Sequence, residues 1–412
     1  MMLDGKDMSI AEFLGQTRDR QTAFLRELVR VPSDNPPGDC APHGERAAVL
    51  LEELGFEVER HPVPAALCRA QGMISVTNLI VRYRFSEDGP VIALNAHGDV
   101  VAPGDGWTTD PYGGEVKDGS MYGRGVAVSK SDFATYAFAL MALRDLGIAL
   151  RGSVELHLTY DEEVGGHLGP WWLLGQGLTA PDMVISAGFS YAVVTAHNGC
   201  LHLEVTVRGK SAHAARPDTG HDAMAAATQA LSAIYAHRTA LAAVRSDIRG
   251  IDTPSITVGL IEGGINTNVV PDKVVFRLDR RMIPEEDVEQ VEADLRDLIS
   301  RTVADCEGIY VEIERVMQVM PLAPLEGAAP LITALQRHAT NVFETEIPIC
   351  GVPLYTDARL YVEAGIPTVI YGAGPRSLLE ANGHRANEKL RLDDLEKATI
   401  VVANAVCDLL SP

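Results

Sequence analysis

Apolar positions fall into two regimes along the chain. Residues 18–30 (RDRQTAFLRELVR) place Phe24, Leu25 and Leu28 on one side of a helix, and residues 133–146 repeat that spacing. VIALNAH (91–97) and GSVELHLTY (152–160) are short apolar runs that predict strands. Strands alternating with helices predict an α/β unit whose mixed, largely parallel sheet is covered by helices on both faces. Its ligand site should lie beyond the C-terminal ends of the strands. From residue 198 the pattern changes. LHLEVTVRG (201–209) alternates strictly, and an apolar helix over 222–235 follows. SITVGLI and DKVVFRLDRR then predict two strands, 285–303 an acidic helix, and IYVEIERV a last strand. This βαββαβ order is that of a ferredoxin-like α+β sandwich. From about residue 317 the α/β character returns. The expected organisation is one domain over 1–197 plus 317–412, with a second inserted at 198–316.

Composition narrows the function. With 412 residues and 46% hydrophobic content the chain can bury two cores. A formal charge of −21 argues against nucleic acid and anionic membranes as partners, because both repel such a surface. The six cysteines are scattered without a CxxC pair, as expected for reduced thiols rather than disulfides or a zinc knuckle. The first residues hold acids and no apolar core of a signal peptide, and no apolar run reaches the length of a membrane span. A cytoplasmic protein is expected.

Three polar groups fall at predicted strand ends: His97-Gly98-Asp99, Asp161-Glu162-Glu163, and His384 in NGHRANE. A carboxylate beside an imidazole holds the metal-binding tautomer, so Asp99 is a natural orienter for His97. Adjacent glutamates on an irregular turn point in different directions. One can ligate a metal while the other takes a proton from a metal-activated water. His61, His157, His197, His202 and His221 show no partner pattern, and Trp171-Trp172 reads as packing.

These motifs, with VPSDNPPGD, TYDEEVGG, GKSAHAARPDTGHDA, IEGGINTNVVPDK, LDRRMIP, YTDARLYVEAGIPTVIYGAG and GHRANE in that order, resemble the M20 metallopeptidases over nearly the whole chain. The resemblance implies a metal-dependent catalytic domain with an inserted lid or dimerisation domain, and a homodimer or higher homo-oligomer. It implies His97, Glu163 and His384 as metal ligands, with Asp99 supporting His97, and Glu162 as general base. His213 would reach a partner's active site and stabilise the oxyanion. Arg281 would hold the carboxylate of a small-molecule substrate, and Asn268 would shape that pocket. The cofactor would be a divalent transition metal, Zn, Mn or Co.

Two positions depart from the family pattern. The loop GRGVAVSKSD (123–132) has Val128 where the family's metal-bridging Asp stands, and VISAGFS has Gly188 where a second acid is expected. Without a bridging anion, two cations ~3.5–4 Å apart repel with little compensation, so one metal per chain is expected. Three protein ligands and an open position still make a catalytic site. Ser129-Lys130-Ser131-Asp132 fits a helix capping box, with Asp132 in reserve as a replacement ligand. The reaction expected is water attack at a C–N bond beside a carboxylate. The most specific reading is an aromatic aminohydrolase, because one divergent branch of the family resembles 5-nitroanthranilate aminohydrolase. An N-acyl amino acid deacylase, a dipeptidase-type carboxypeptidase and a degenerate non-catalytic relative are the alternatives.

Overall fold

The computed structural model describes residues 8–412. Its contacts divide the chain into two compact units. The larger runs to Thr195 and resumes at 324–350 and 356–412; the smaller holds 196–323 with 351–355.

The eight-stranded sheet has the spatial order Val58–Pro62, Thr77–Arg84, Ser153–Thr159, Val91–His97, Met183–Ser186, Thr368–Ile370, Val193–His197, Ile349–Val352. Val91–His97 pairs parallel with both its neighbours, and Met183–Ser186 pairs parallel with Thr368–Ile370. Pairing is antiparallel from Ser153–Thr159 outward to Val58–Pro62, and again where Thr368–Ile370 meets Val193–His197. The sheet is therefore parallel at its centre and antiparallel toward its margins. The central strand is buried along almost its whole length, as a strand covered on both faces must be. Helix Lys130–Asp145 is buried on nearly every side, and its apolar residues join those of Ile10–Val29 and Leu392–Leu410 in one core.

That topology places the polar groups. His97 ends the central strand opposite Thr159, which ends its parallel neighbour. Two residues past Thr159 the chain turns at Asp161, a non-glycine residue at φ 99°, into the single 3-10 turn Glu162–Val164. The Asp161 carboxylate accepts from Leu168 N–H at 2.6 Å, and its carbonyl accepts from Gly166 N–H at 2.7 Å. These bonds offset the cost of the left-handed backbone.

In the smaller unit, Ser255–Gly263, Lys273–Met282, Gly199–Arg208 and Tyr310–Val319 form an antiparallel sheet in that order, the ferredoxin-like arrangement. Helices Ala223–Leu241 and Val288–Val303 are capped by Asp222 and Asp287. Their apolar faces pack on Leu201, Leu203, Val205 and Val207 from one strand and on Val274, Phe276 and Leu278 from the next. Alternation turns Cys200, His202, Asp279 and Arg281 to the opposite face. All six cysteines are free thiols. Among the described residues no helix is long and apolar enough to cross a membrane.

Candidate active site

The centre of the site is a buried carboxylate. Asp99 has no exposed surface. One of its oxygens accepts from Glu162 N–H at 3.3 Å, and the other from Glu163 N–H at 3.2 Å and Asn35 Nδ2 at 2.9 Å. The first oxygen also stands 3.5 Å from His97 Nδ1, which lies 3.0 Å from the Asp99 carbonyl oxygen. Asp99 thus fixes the imidazole and the backbone of the glutamate turn together. His97 Nε2 is left facing Glu162, 3.9 Å away. Donor atoms of His97, Glu162 and Glu163 all lie within 4.8 Å of one another.

His384, at φ 60° in its loop, brings Nε2 to 3.3 Å from Glu163 Oε1 but does not join that mutual triple. A further acid, Asp357, escapes the sequence reading although it sits in the YTDARLY segment. It is buried, and its Oδ2 has no hydrogen-bond partner. Arg359, two residues along, donates to Gly165 O and ties this segment to the glutamate turn.

Burial raises the Glu162 carboxyl well above the ordinary glutamate range, and the charges of Glu163, Asp357 and Asp99 push it further against the opposing pull of His97. Burial also raises Asp357. For His97 burial acts downward, but Glu162, Asp99 and Glu163 outweigh it and lift the imidazole well above its ordinary value. Four acids, three of them buried, around one imidazole form a cluster short of positive charge, and the orphaned Asp357 oxygen faces the same shortage. A divalent cation fits that donor set and that deficit.

The loop at 123–132 keeps its scaffold without its acid. Arg124 Nη1 meets Glu388 Oε2 at 2.6 Å in a fully buried pair, and Glu388 Oε1 accepts from the N–H groups of Ala127 and Val128 at 2.9 and 3.2 Å. The carboxylate at this loop therefore belongs to Glu388 and binds backbone. The capping box is not formed: Ser129 makes no side-chain cap. Asp132 lies on a turn that faces the core, where its Oδ1 accepts from Ala373 N–H at 2.6 Å and abuts Gly372 so closely that a Cβ there would lie 2.2 Å away. Its Oδ2 has no partner, and burial pushes its carboxyl up to about 7 against the pull of the Ala373 and Gly188 N–H groups. Asp132 is not among the residues whose donor atoms converge with His97. Gly188 is sterically fixed, because a Cβ built there would lie 2.2 Å from Ile370 Cγ2.

In the smaller unit His213 and Asn268 are brought together. His213 pairs with Val269, Ala214 N–H donates to Asn268 O at 2.9 Å, and both residues are exposed. Arg281 is half-buried, with Nε 3.0 and 3.1 Å from the two oxygens of Asp279. Four histidines without a sequence pattern do have partners, among them His197, whose Nδ1 lies 3.0 Å from Asn198 O. His157 is buried between Tyr361, Glu155 and Thr179, His61 meets Glu59, and His202 faces Asp279. Of the tryptophan pair, Trp172 packs on the core while Trp171 is exposed.

Imidazole and carboxylate donors at the ends of parallel strands, in a chain that also carries a ferredoxin-like unit, define a metal-dependent hydrolase. Residues 93–408 match Peptidase family M20/M25/M40, and the chain belongs to that family. It is 29% identical over 388 residues to the acetylornithine deacetylase of Myxococcus xanthus, covering 93% of this chain and 96% of that one. To the succinyl-diaminopimelate desuccinylase of Rhodospirillum centenum it is 26% identical over 390 residues, covering 92% and 94%. The fold matches the YXEP protein of Bacillus subtilis, described as a dinuclear metal-binding peptidase of the M20 family. There the TM-score is 0.70 at 17% identity, with 96% and 99% of the two chains covered.

Two predictions test the departures. Gly188→Ala should cost about 1–3 kcal/mol in equilibrium denaturation, because Ile370 has to move; an unchanged stability would show that the site relaxes freely. Asp132 holds a proton in the folded chain that the unfolded chain has lost above about pH 4. Its contribution to stability is therefore full below that pH and falls away as pH rises through about 7. Asp132→Asn should flatten this decline, read as a smaller loss of unfolding free energy between about pH 5 and about pH 8. A profile identical to the parent's would mean that Asp132 is already ionised when folded and is available to a metal.

Proposed function

We propose that this chain hydrolyses an amide C–N bond in a small carboxylate-bearing substrate, with one catalytic divalent ion of Zn, Mn or Co. The observation that carries this reading is the convergence of His97, Glu162 and Glu163 over Asp99, with Val128 and Gly188 where two further acids would be needed. His97 and Glu163 would hold the ion, and His384, beside Glu163, would be its third protein ligand. Such an ion supplies Lewis acidity for the carbonyl and lowers the pKa of water. Glu162, buried and raised in pKa, takes the proton of the attacking water and returns it to the leaving nitrogen. Asp99 keeps His97 in one tautomer and the glutamate turn in one place. Arg281 is assigned to the substrate carboxylate. Asp279 engages its Nε, leaving the planar Nη pair for bidentate recognition. His213 is assigned to the oxyanion in a homodimer, a role that needs a second copy of the chain.

The deacetylase and desuccinylase relatives put N-acyl amino acids ahead of dipeptides as substrates. The aromatic aminohydrolase reading rests on the two missing acids alone and stands second. Assays with N-acetyl and N-succinyl amino acids, dipeptides and 5-nitroanthranilate separate these readings. Release of amine from the acyl substrates is expected, and ammonia from the anthranilate alone would overturn the order. Glu162→Gln should lower kcat about 10²–10⁴-fold while keeping bound metal. An unchanged residual activity in that variant would mark a non-catalytic protein. Asp99→Asn should weaken metal binding about 10–100-fold, measured by competition with a chelator.

A further inference from the structure

The smaller unit carries a second set of mixed donors, none of them shared with the triple at His97. Cys200 and His202 alternate on one strand, Asp279 and Arg281 on the next, and the register sets Arg281 opposite Cys200 and Asp279 opposite His202. All four side chains share the face turned away from the two helices. Cys200 Sγ approaches Asp279 Oδ1 at 3.6 Å, and His202 Nε2 stands 3.6 Å from Asp279 Oδ2. Each of the three donor atoms lies within 4.8 Å of the others. We propose that Cys200, His202 and Asp279 form a transition-metal site, suited to zinc, with Arg281 holding the ligating carboxylate.

The spacing supports it. Ligand atoms ~2.0–2.3 Å from a tetrahedral ion stand ~3.3–3.6 Å from each other, so small side-chain rotations on rigid strands close the set. A thiolate, an imidazole and a carboxylate are the mixed soft and borderline donors that zinc and cobalt take. Arg281 does not block the site. A carboxylate has about four acceptor positions, and the guanidinium uses one edge of Asp279 as the hydrogen-bonding partner that ligating carboxylates ordinarily have. Thiolate and carboxylate against guanidinium leave one net negative charge for a dication, fewer than the acids around His97 offer. This site should therefore fill after the one at His97. A thiol ligates as the thiolate, so an ion that binds here displaces a proton from Cys200. The half-exposed rims of His202 and Asp279 leave an open side for water as the fourth ligand.

The two sites differ in one measurable respect: the triple at His97 has no sulfur, and among the described residues no other cysteine belongs to such a cluster. Cobalt(II) titration of the metal-free full-length protein reads this directly. The expected result is a thiolate-to-cobalt charge-transfer band in the near ultraviolet that grows after the first visible absorption. Cys200→Ser should abolish it and leave the earlier visible absorption intact. His202→Ala, a change at a half-exposed residue that the fold tolerates, should shift the band's midpoint at least about tenfold to higher cobalt. Absence of the band in the parent, its survival in Cys200→Ser, or an unmoved midpoint in His202→Ala would overturn the proposal.

Discussion

One buried carboxylate sets the geometry on which the hydrolytic site depends. Asp99 is sealed from solvent, and a charge so placed is stable only if its lone pairs are filled. They are filled by the N–H groups of Glu162 and Glu163, by Asn35 and by the facing imidazole of His97. Burial alone would raise the Asp99 pKa, yet these partners carry it below the ordinary aspartate value. The same contacts that keep Asp99 ionised fix two ends of the site. They aim one nitrogen of His97 outward and hold the two glutamates on a single 3-10 turn. Because His97 and that turn follow neighbouring parallel strands, the sheet delivers them side by side and Asp99 sets the final separation.

Beside this centre the glycine loop is held by its backbone and offers no acid of its own at Val128. The Arg124–Glu388 pair clamps the glycine loop, and Glu388 satisfies the N–H groups of Ala127 and Val128. The side chain at 128 is an isopropyl group. At 188 the departure is built in, since Ile370 fills the volume that a side chain would need. Asp132, the nearest acid in sequence, faces the core between Ala373, Gly372 and Gly188.

Much of this was legible in the residues, for identifiable reasons. Strict alternation from Leu201 to Val207 and the helical runs around it specify the ferredoxin-like sandwich, because period two and period 3.6 leave little choice of element. His97, Glu162 and Glu163 stand out because strand ends in α/β sheets are where ligands sit. What failed depends on contacts distant in sequence. Ser129 and Asp132 match a cap by spacing, yet a helix buried on all sides turns its first residues inward. Asp357 has no local signal and gains its place from the Arg359 tether to Gly165. His202 looked unpartnered because the register that sets it opposite Asp279 is a property of strand pairing. Asp99 was legible as a partner of His97 but not as the anchor of a turn more than sixty residues away.

With Val128 and Gly188 where two further acids would be needed, the site at His97 is proposed to hold one hydrolytic metal. Metal content per chain tests it most directly, measured at saturation in Cys200→Ser so that only the site at His97 is counted. The expected value is about one ion per chain, lost in His97→Ala. Two tightly held ions per chain in that background would contradict it.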